Sequence, residues 1–227
     1  MNNSFVDALT NISKDALKFI TNDSIIALGS GNAATIFTKT LSKFVNTSKI
    51  RIKIIPTSLQ IKLIIEKNPE AHLMESSYLN EVDIMFDGAD QIDSQKNLVK
   101  GGGGALLREN ILMNMAKKVI IIADSSKFVN KLNTNIPIEI HQSAREYVIK
   151  KLIEIKGAPL LRVAAKGYPV ITENGNIIID CNFDEIDNPQ KLSKEIISIA
   201  GVLEVGIFKK KPDVIYKANL DGSFDIL

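Results

Sequence analysis

Tryptophan is absent from this 227-residue chain, cysteine occurs once and histidine twice. A single cysteine, Cys181, excludes an intramolecular disulfide framework and suits a reducing compartment. With no histidine near it in sequence, Cys181 is expected to be a small, half-buried strand residue and not a nucleophile. The two histidines, His72 and His141, fall in no metal-like cluster, which argues against a zinc site. Long apolar runs are missing too: the longest extends only from Val119 to Ala123, far short of a bilayer span. The first residues, Met-Asn-Asn-Ser-Phe-Val-Asp, lack the basic segment and apolar run of a signal peptide. A cytoplasmic protein with no membrane association is therefore expected. Nor is there an excess of either charge. With 28 basic residues against 26 acidic ones, the net charge of +2 argues against a nucleic-acid partner. The basic run Lys209-Lys210-Lys211, followed by Pro212, is expected to be a solvated loop between two strands.

What is present is ordinary globular material, 45% hydrophobic and 24% charged, and long enough for one large domain or a medium domain plus a small one. Apolar residues recur at helical spacing over residues 4–19, and Ser24 to Leu28 has the continuous apolar character of a buried strand. A helix is expected over 33–44, a strand from Lys49 to Ile55 closed by Pro56, and a helix from about Ser58. A strand from Val82 to Phe86 comes next, then a helix to about Lys117 and a strand from Val119 to Ile122. This alternation predicts an α/β domain around a parallel sheet. Beyond about Asn133 the pattern changes. Strands are expected at Ile136–Ile140, Leu160–Val163 and Leu203–Phe208, with helices at Ala144–Ile155 and from Asn188-Pro189 to about Ala200. Residues 168–181 look like a hairpin turning at Glu173-Asn174-Gly175. These elements predict a small α+β domain over 133–206, with 1–132 and 207–227 forming the larger one. The tail from Asp213 to Tyr216 is expected to return as an edge strand of the first sheet.

Gly29-Ser30-Gly31-Asn32-Ala33-Ala34 matches G-x-G-x-x-A between a strand and a helix, a turn that brings backbone N–H groups to a phosphate. A dinucleotide site also needs an acidic residue about 20 positions on. None occurs between Val45 and Lys62, so a smaller phosphate ester, or a bare tight turn, is what remains. Asp87-Gly88-Ala89-Asp90 places two carboxylates at the end of an apolar strand, where open α/β sheets bind ligands; either could equally cap a turn. Lys100 then precedes Gly101, Gly102, Gly103 and Gly104. Four successive glycines carry a large conformational entropy cost, and they lie between two apolar elements instead of at a linker-like change of composition. No Lys-Ser/Thr follows them, so this is not a Walker A loop. Glu109 has Ala105, Leu106, Leu112 and Met113 at i±3 and i±4, which sets it on an apolar stripe close to a helix start. Such a carboxylate suits a general base or, more simply, a helix-start acid satisfying free N–H groups. Asp124 and Lys127 follow the next strand, as a site contribution or as a cap and a solvated lysine.

In order and interval these pieces resemble the type A ribose-5-phosphate isomerase family. The matching elements are Gly29-Ser30-Gly31-Asn32-Ala33, Pro56-Thr57-Ser58-Leu59-Gln60, Asp87-Gly88-Ala89-Asp90, Lys100-Gly101-Gly102-Gly103 with Arg108-Glu109, and Ala123-Asp124-Ser125-Ser126-Lys127. Pro137-Ile138-Glu139 agrees in the smaller domain. The resemblance implies a Rossmann-like large domain and a small ferredoxin-like domain. It implies a homodimer or homotetramer with no cofactor and no metal, acting on a small sugar phosphate of the pentose phosphate pathway. It makes Glu109 the base that carries a proton between C1 and C2, and gives ring opening and hydroxyl protons to Asp87 and Asp90. Lys100 would stabilise the enediolate oxygen. Ser30, Gly31, Asn32, Ala33, Asp87 with Gly88, Ala89 and Asp90, Lys100 with Gly101, Gly102 and Gly103, and Lys127 would hold the substrate. Asn32 and Ala33 stand where the family usually has hydroxyl residues, Gln91 where it has an acid, and Asn110 where it has a lysine. Three other readings fit parts of the sequence: a sugar-phosphate sensor, an acyl- or CoA-transferring or deaminating enzyme, and a nicotinamide oxidoreductase. A missing helix-turn-helix counts against the sensor, the lack of a catalytic-looking histidine against the deaminase, and the missing ribose-binding acid against the oxidoreductase.

Overall fold

The computed structural model describes residues 5–68, 70–184 and 186–227. In chain order its elements are α1 (Val6–Ala16), β1 (Ile25–Leu28), α2 (Gly31–Ser48), β2 (Ile52–Pro56), α3 (Leu59–Ile65), β3 (Ala71–Leu73), β4 (Val82–Asp87), β5 (Gln91–Ile92) and β6 (Leu98–Val99). They continue with α4 (Leu106–Met115), β7 (Ala116–Asp124), β8 (Ile136–Ile140), α5 (Arg145–Glu154), β9 (Ala158–Leu161), β10 (Ile177–Asn182), α6 (Pro189–Ile197), β11 (Val202–Val205), β12 (Ile207–Phe208), β13 (Val214–Ala218) and β14 (Phe224–Ile226). Two compact units divide the chain: residues 1–89, 108–127 and 212–227 form the first, and 90–107 with 128–211 the second. Segment 90–107 thus groups with the second unit, and so do β12 and the basic run after it.

The first unit carries a seven-stranded sheet in the order β14-β13-β7-β4-β1-β2-β3. Every pairing in it is parallel except β13 with β14, giving the expected α/β architecture. Buried on both faces, its central strands need the near-continuous Ile, Val, Leu and Phe character seen in sequence. Ile26, Leu28, Ile54, Phe86, Ile120 and Ile122 pack there with Phe37 and Leu41 of α2, and the Phe37 and Phe86 rings stack at 4.1 Å. The tail enters as β13 beside β7, so it is not the edge; a turn lets β14 fold back and cover it. The expected strand over 49–55 begins only at Ile52, because α2 runs on to Ser48 and Lys49 caps it in a left-handed conformation at φ 55°. The start of the first helix at residue 4 lies outside the described residues. No helix among the described residues is long and apolar enough to cross a membrane.

The second unit contains a four-stranded antiparallel sheet, β11-β8-β10-β9, and a three-stranded one, β12-β6-β5. Its core joins Ile136, Ile138, Ile140, Ile179 and Val205 to Val148 and Leu152 of α5 and Ile196 of α6. Asn188 caps α6 by accepting from the Lys191 N–H at 2.9 Å, with Pro189 in the first turn, as Asn-Pro predicts. The expected single strand over 203–208 breaks in two at Gly206. Its carbonyl accepts from the Lys100 N–H at 2.8 Å and its N–H donates to Pro137 O at 2.7 Å. A Cβ at this glycine would lie 2.4 Å from Lys100 O, so only glycine can pass the chain from one sheet to the other there. The turn at Gly175 forms with φ 79°, but residues 168–172 make only isolated bridges, and β10 pairs instead with β8 and β9. Glu139 of β8 is fully buried, and its Oε1 accepts from Thr172 Oγ1, Asn174 Nδ2 and Asn176 Nδ2 at 2.8, 3.0 and 2.8 Å. Those donors hold this turn against the sheet.

Candidate active site

Parallel strands β1, β2, β4 and β7 end along one edge of the large sheet. From β1 the chain moves to β2 on one side, whereas β4 leads to β7 on the other. The gap between β1 and β4 is therefore a topological switch point, where open α/β sheets bind ligands. Gly29 follows β1 and donates to Phe86 O at 2.8 Å, which sets it beside Asp87 at the end of β4. A Cβ at Gly29 would lie 1.7 Å from Asp87 Oδ1, so the absent side chain is what lets this buried carboxylate rest there. Asp87 Oδ1 also accepts from the Gly88 N–H at 2.7 Å.

Ser30 occupies the N-cap position of α2 in an extended conformation, yet its side chain makes no capping bond. The hydroxyl donates instead to Glu109 Oε1 at 2.6 Å, and the Ser30 N–H approaches the same oxygen at 3.3 Å. Glu109 lies in the first turn of α4 and is only 2% exposed. Carboxylate, hydroxyl and amide are thus joined across 79 residues of sequence. Gly31, at φ 82°, opens α2 and donates to Gln60 Oε1 at 3.3 Å; Asn32 is exposed and Ala33 half-buried in the same turn. The N-terminal amides of a helix this long are natural donors to an anion. Gly88 packs near Ile122 O and Ala33 Cβ, Ala89 ends this segment of the first unit, and Lys127 closes a short 3-10 turn after β7, half-buried. Asp124 holds that turn by accepting from the Ser126 N–H at 3.0 Å.

The other predicted residues form a cluster of the second unit. Asp90 is fixed by its N–H to Val99 O at 2.8 Å, and its Oδ2 accepts from the Gly102 N–H at 2.7 Å. Here too a glycine makes room, since a Cβ at Gly102 would meet Asp90 Oδ1 at 2.6 Å. Lys100 follows β6, is 3% exposed, and has its Nζ 5.8 Å from the Phe208 ring centroid. Gly101 and Gly104 adopt φ 104° and 80°, and Gly102 and Gly103 are exposed. A lysine and glycine amides can donate to an oxygen-rich, anionic substrate, and the carboxylate can accept from its hydroxyls. Among the described residues no group of three or more His, Cys, Asp or Glu could hold a metal ion.

Comparison with known proteins decides the family. The family model described as ribose 5-phosphate isomerase A (phosphoriboisomerase A) matches residues 53–222. The chain belongs to this family. Ribose-5-phosphate isomerase A of Trichodesmium erythraeum is 37% identical over 222 residues, covering 95% of this chain and 92% of that protein. Ribose 5-phosphate isomerase A of Methanocaldococcus jannaschii superposes with a TM-score of 0.91 at 35% identity, covering 97% of this chain and 98% of that one. A D-ribose-5-phosphate isomerase in complex with phospho-erythronic acid gives 0.90 at 34% identity, covering 98% and 97%.

Three contributors to these clusters escaped the sequence reading. Gly206 shapes the Lys100 backbone, and Arg162 and Asp180 bear on the glycine loop as described below. Gly206 carried a weak signal as a glycine inside an expected strand; Arg162 and Asp180 lie in no local motif and carried none.

Proposed function

We propose that this ribose-5-phosphate isomerase family member interconverts D-ribose 5-phosphate and D-ribulose 5-phosphate, within the pentose phosphate pathway, by proton transfer through an enediol. The observation that carries the reading is the buried Glu109 carboxylate, gripped at one oxygen by the Ser30 hydroxyl and amide at the switch point of the sheet. A base so held loses no entropy in finding its orientation when the substrate arrives.

In this reading Asp87 and Asp90 move hydroxyl protons as the sugar ring opens to the aldehyde. Glu109 then removes the proton on C2, and the electron pair of that bond becomes the C1–C2 double bond as the carbonyl electrons pass to O1. Lys100 stabilises the negative charge there. Glu109 then returns its proton to C1, the O2 proton passes to O1, and the O2–H electron pair becomes the C2 carbonyl, which leaves the ketose. The amides of Gly31, Asn32 and Ala33, with Lys127, serve the phosphate, Ser30 borders the substrate while its hydroxyl and amide hold Glu109, and Gly101, Gly102 and Gly103 serve the sugar oxygens. Backbone N–H groups suffice at Asn32 and Ala33, so the hydroxyls missing there leave the phosphate a grip. Lys100 supplies the cation that a metal would otherwise bring, and the reaction proceeds without one.

The same proposal includes a cytoplasmic location and assembly as a homodimer or homotetramer, read by light scattering on the eluting protein. The deciding experiment is a coupled assay with ribose 5-phosphate in the presence of EDTA. Turnover that survives the chelator supports both reaction and metal independence; no turnover with ribose 5-phosphate, with or without added divalent cation, overturns the proposal.

A further inference from the structure

Arg162 stands just after β9, at the turn where its N–H donates to Ile178 O at 2.8 Å and its carbonyl accepts from the Val170 N–H at 3.0 Å. Its guanidinium forks across the Asp180 carboxylate of β10, Nε to Oδ2 at 2.7 Å and Nη2 to Oδ1. The third nitrogen, Nη1, donates to Gly101 O at 2.7 Å and to Gly102 O at 3.2 Å. The two side chains are only 16% and 21% exposed, and every atom in the arrangement belongs to the second unit.

A planar trans peptide points its C=O and its N–H in opposite directions. By holding the carbonyls of Gly101 and Gly102, Arg162 therefore aims the N–H groups of Gly102 and Gly103 the other way. The first of these reaches Asp90 Oδ2 at 2.7 Å. The second belongs to an exposed glycine. Without such a hold a run of four glycines has little to stop its peptides from turning over, because glycine accepts positive and negative φ alike. A charged donor on a carbonyl also polarises that peptide and strengthens its N–H as a donor.

The geometry points to Arg162, oriented by Asp180, as a positioning residue of the isomerisation: it fixes the glycine-loop peptides so that Gly102 secures Asp90 and Gly103 presents its N–H to a substrate oxygen. Asp180 keeps the guanidinium plane in place, and its charge offsets that of an arginine largely removed from water. This inference rests on the proposed isomerase reading and names residues through which that site is held.

The test uses full-length Arg162→Lys, Asp180→Asn and the double variant. Lysine keeps the charge, but one ammonium cannot bridge a carboxylate and two carbonyls as a planar fork does. Steady-state kinetics with ribose 5-phosphate, titration calorimetry with phospho-erythronic acid and thermal unfolding are measured on each. Loss of one aligned oxyanion donor costs about 10²–10³ in rate, so partial misalignment is expected to lower kcat about ten- to a hundredfold. KM should stay within about threefold, and affinity for phospho-erythronic acid should fall in step with kcat. The double variant should be no worse than the poorer single one, because the pair acts as a unit. A kcat within about twofold of the parent in both single variants overturns the inference. So does a loss of kcat that merely follows the loss of thermal stability, or one that adds in the double variant. Should Arg162→Lys fail to fold, Asp180→Asn with its kcat and KM carries the same decision. A parent chain inactive on ribose 5-phosphate overturns the isomerase reading itself, whereas an active parent indifferent to both substitutions overturns the positioning role alone.

Discussion

At Gly29 a methyl group would lie 1.7 Å from Asp87 Oδ1, so Gly29→Ala must drive that carboxylate out of its seat. Overpacking of this kind costs about 1–3 kcal/mol, and the displaced group is one the proposed reaction uses. Gly29→Ala is expected to unfold at a lower temperature and to lose more than about tenfold in kcat, since small misplacements at a reacting centre cost that much or more. Kinetics and a thermal melt on the same sample check both halves. Glu109→Gln makes the opposite trade. The amide keeps the size of the side chain and a carbonyl oxygen for the Ser30 hydroxyl, but it cannot accept a proton from carbon. Turnover should fall at least about a hundredfold with little change in substrate binding, and near-normal turnover would remove Glu109 from the role of base. Both residues stood out in the sequence, Gly29 as part of a glycine turn and Glu109 as an acid on an apolar stripe. Their partners did not. Nothing local shows that Asp87 rests on Gly29, or that Ser30, at a position suited to a phosphate, turns its hydroxyl to an acid 79 residues away.

Among the elements, the long parallel strands were the most legible, because burial on both faces leaves an unbroken apolar run that little else imitates. Short strands were not. β5 and β6 have two residues each and β3 three, too few for any period to show. The ends of elements depended on single residues with their own physics, such as Lys49 in a left-handed cap or Gly206 at the change of sheet. Asp83 belongs with these. It sits near the start of β4 and accepts from the Ile25 N–H at 2.9 Å, tying β4 to the entry of β1, and from Lys117 Nζ at 3.1 Å. The Ile25 N–H first, and then Lys117, hold the Asp83 carboxyl below the usual carboxylate range against the effect of partial burial. A folded pKa below the unfolded one means that this carboxylate stabilises the fold fully above about pH 4–5, and that the contribution fades as pH falls through the folded value. Asp83→Asn should therefore lose about 1 kcal/mol at pH 7, the worth of a partly exposed charge-assisted bond. Denaturant titrations should show that gap narrowing towards zero below about pH 4. A gap that stays constant into acid would mean that side-chain shape, not charge, does the tying.

Over the whole molecule the change of pattern near Asn133 suggested a second body of structure, whereas the second unit also takes in residues 90–107 and begins its longer segment at Phe128, a path of the chain that was not legible. Each unit is assembled from separated segments, three in the first and two in the second, and short-range periodicity says nothing about which segments share a core. β4 and β7 lie side by side in the large sheet although residues 90–107, which pass through the second unit, come between them. An unfolded second unit would turn that connection into a long loose loop, with its cost in closure entropy to the pairing of β4 with β7. Loss of the second core should therefore weaken the first, and the two are expected to unfold together. Cys181 makes this measurable. It is fully buried in the core of the second unit, and burial pushes its thiol up to about 12, so in the folded chain it is both inaccessible and protonated at pH 8. An unfolded cysteine titrates near about 8.5 and reacts readily. With the folded pKa the higher of the two, the thiol's contribution to stability is complete below about pH 8.5 and declines as pH rises above it. A thiol reagent such as dithionitrobenzoate at pH 8 should leave the native chain almost unlabelled. Labelling should rise with denaturant along the same curve as the loss of far-ultraviolet circular dichroism, most of whose strand signal comes from the seven-stranded sheet. Labelling complete before that signal changes would show that the second unit unfolds by itself, and that the shared connections do not couple the two cores.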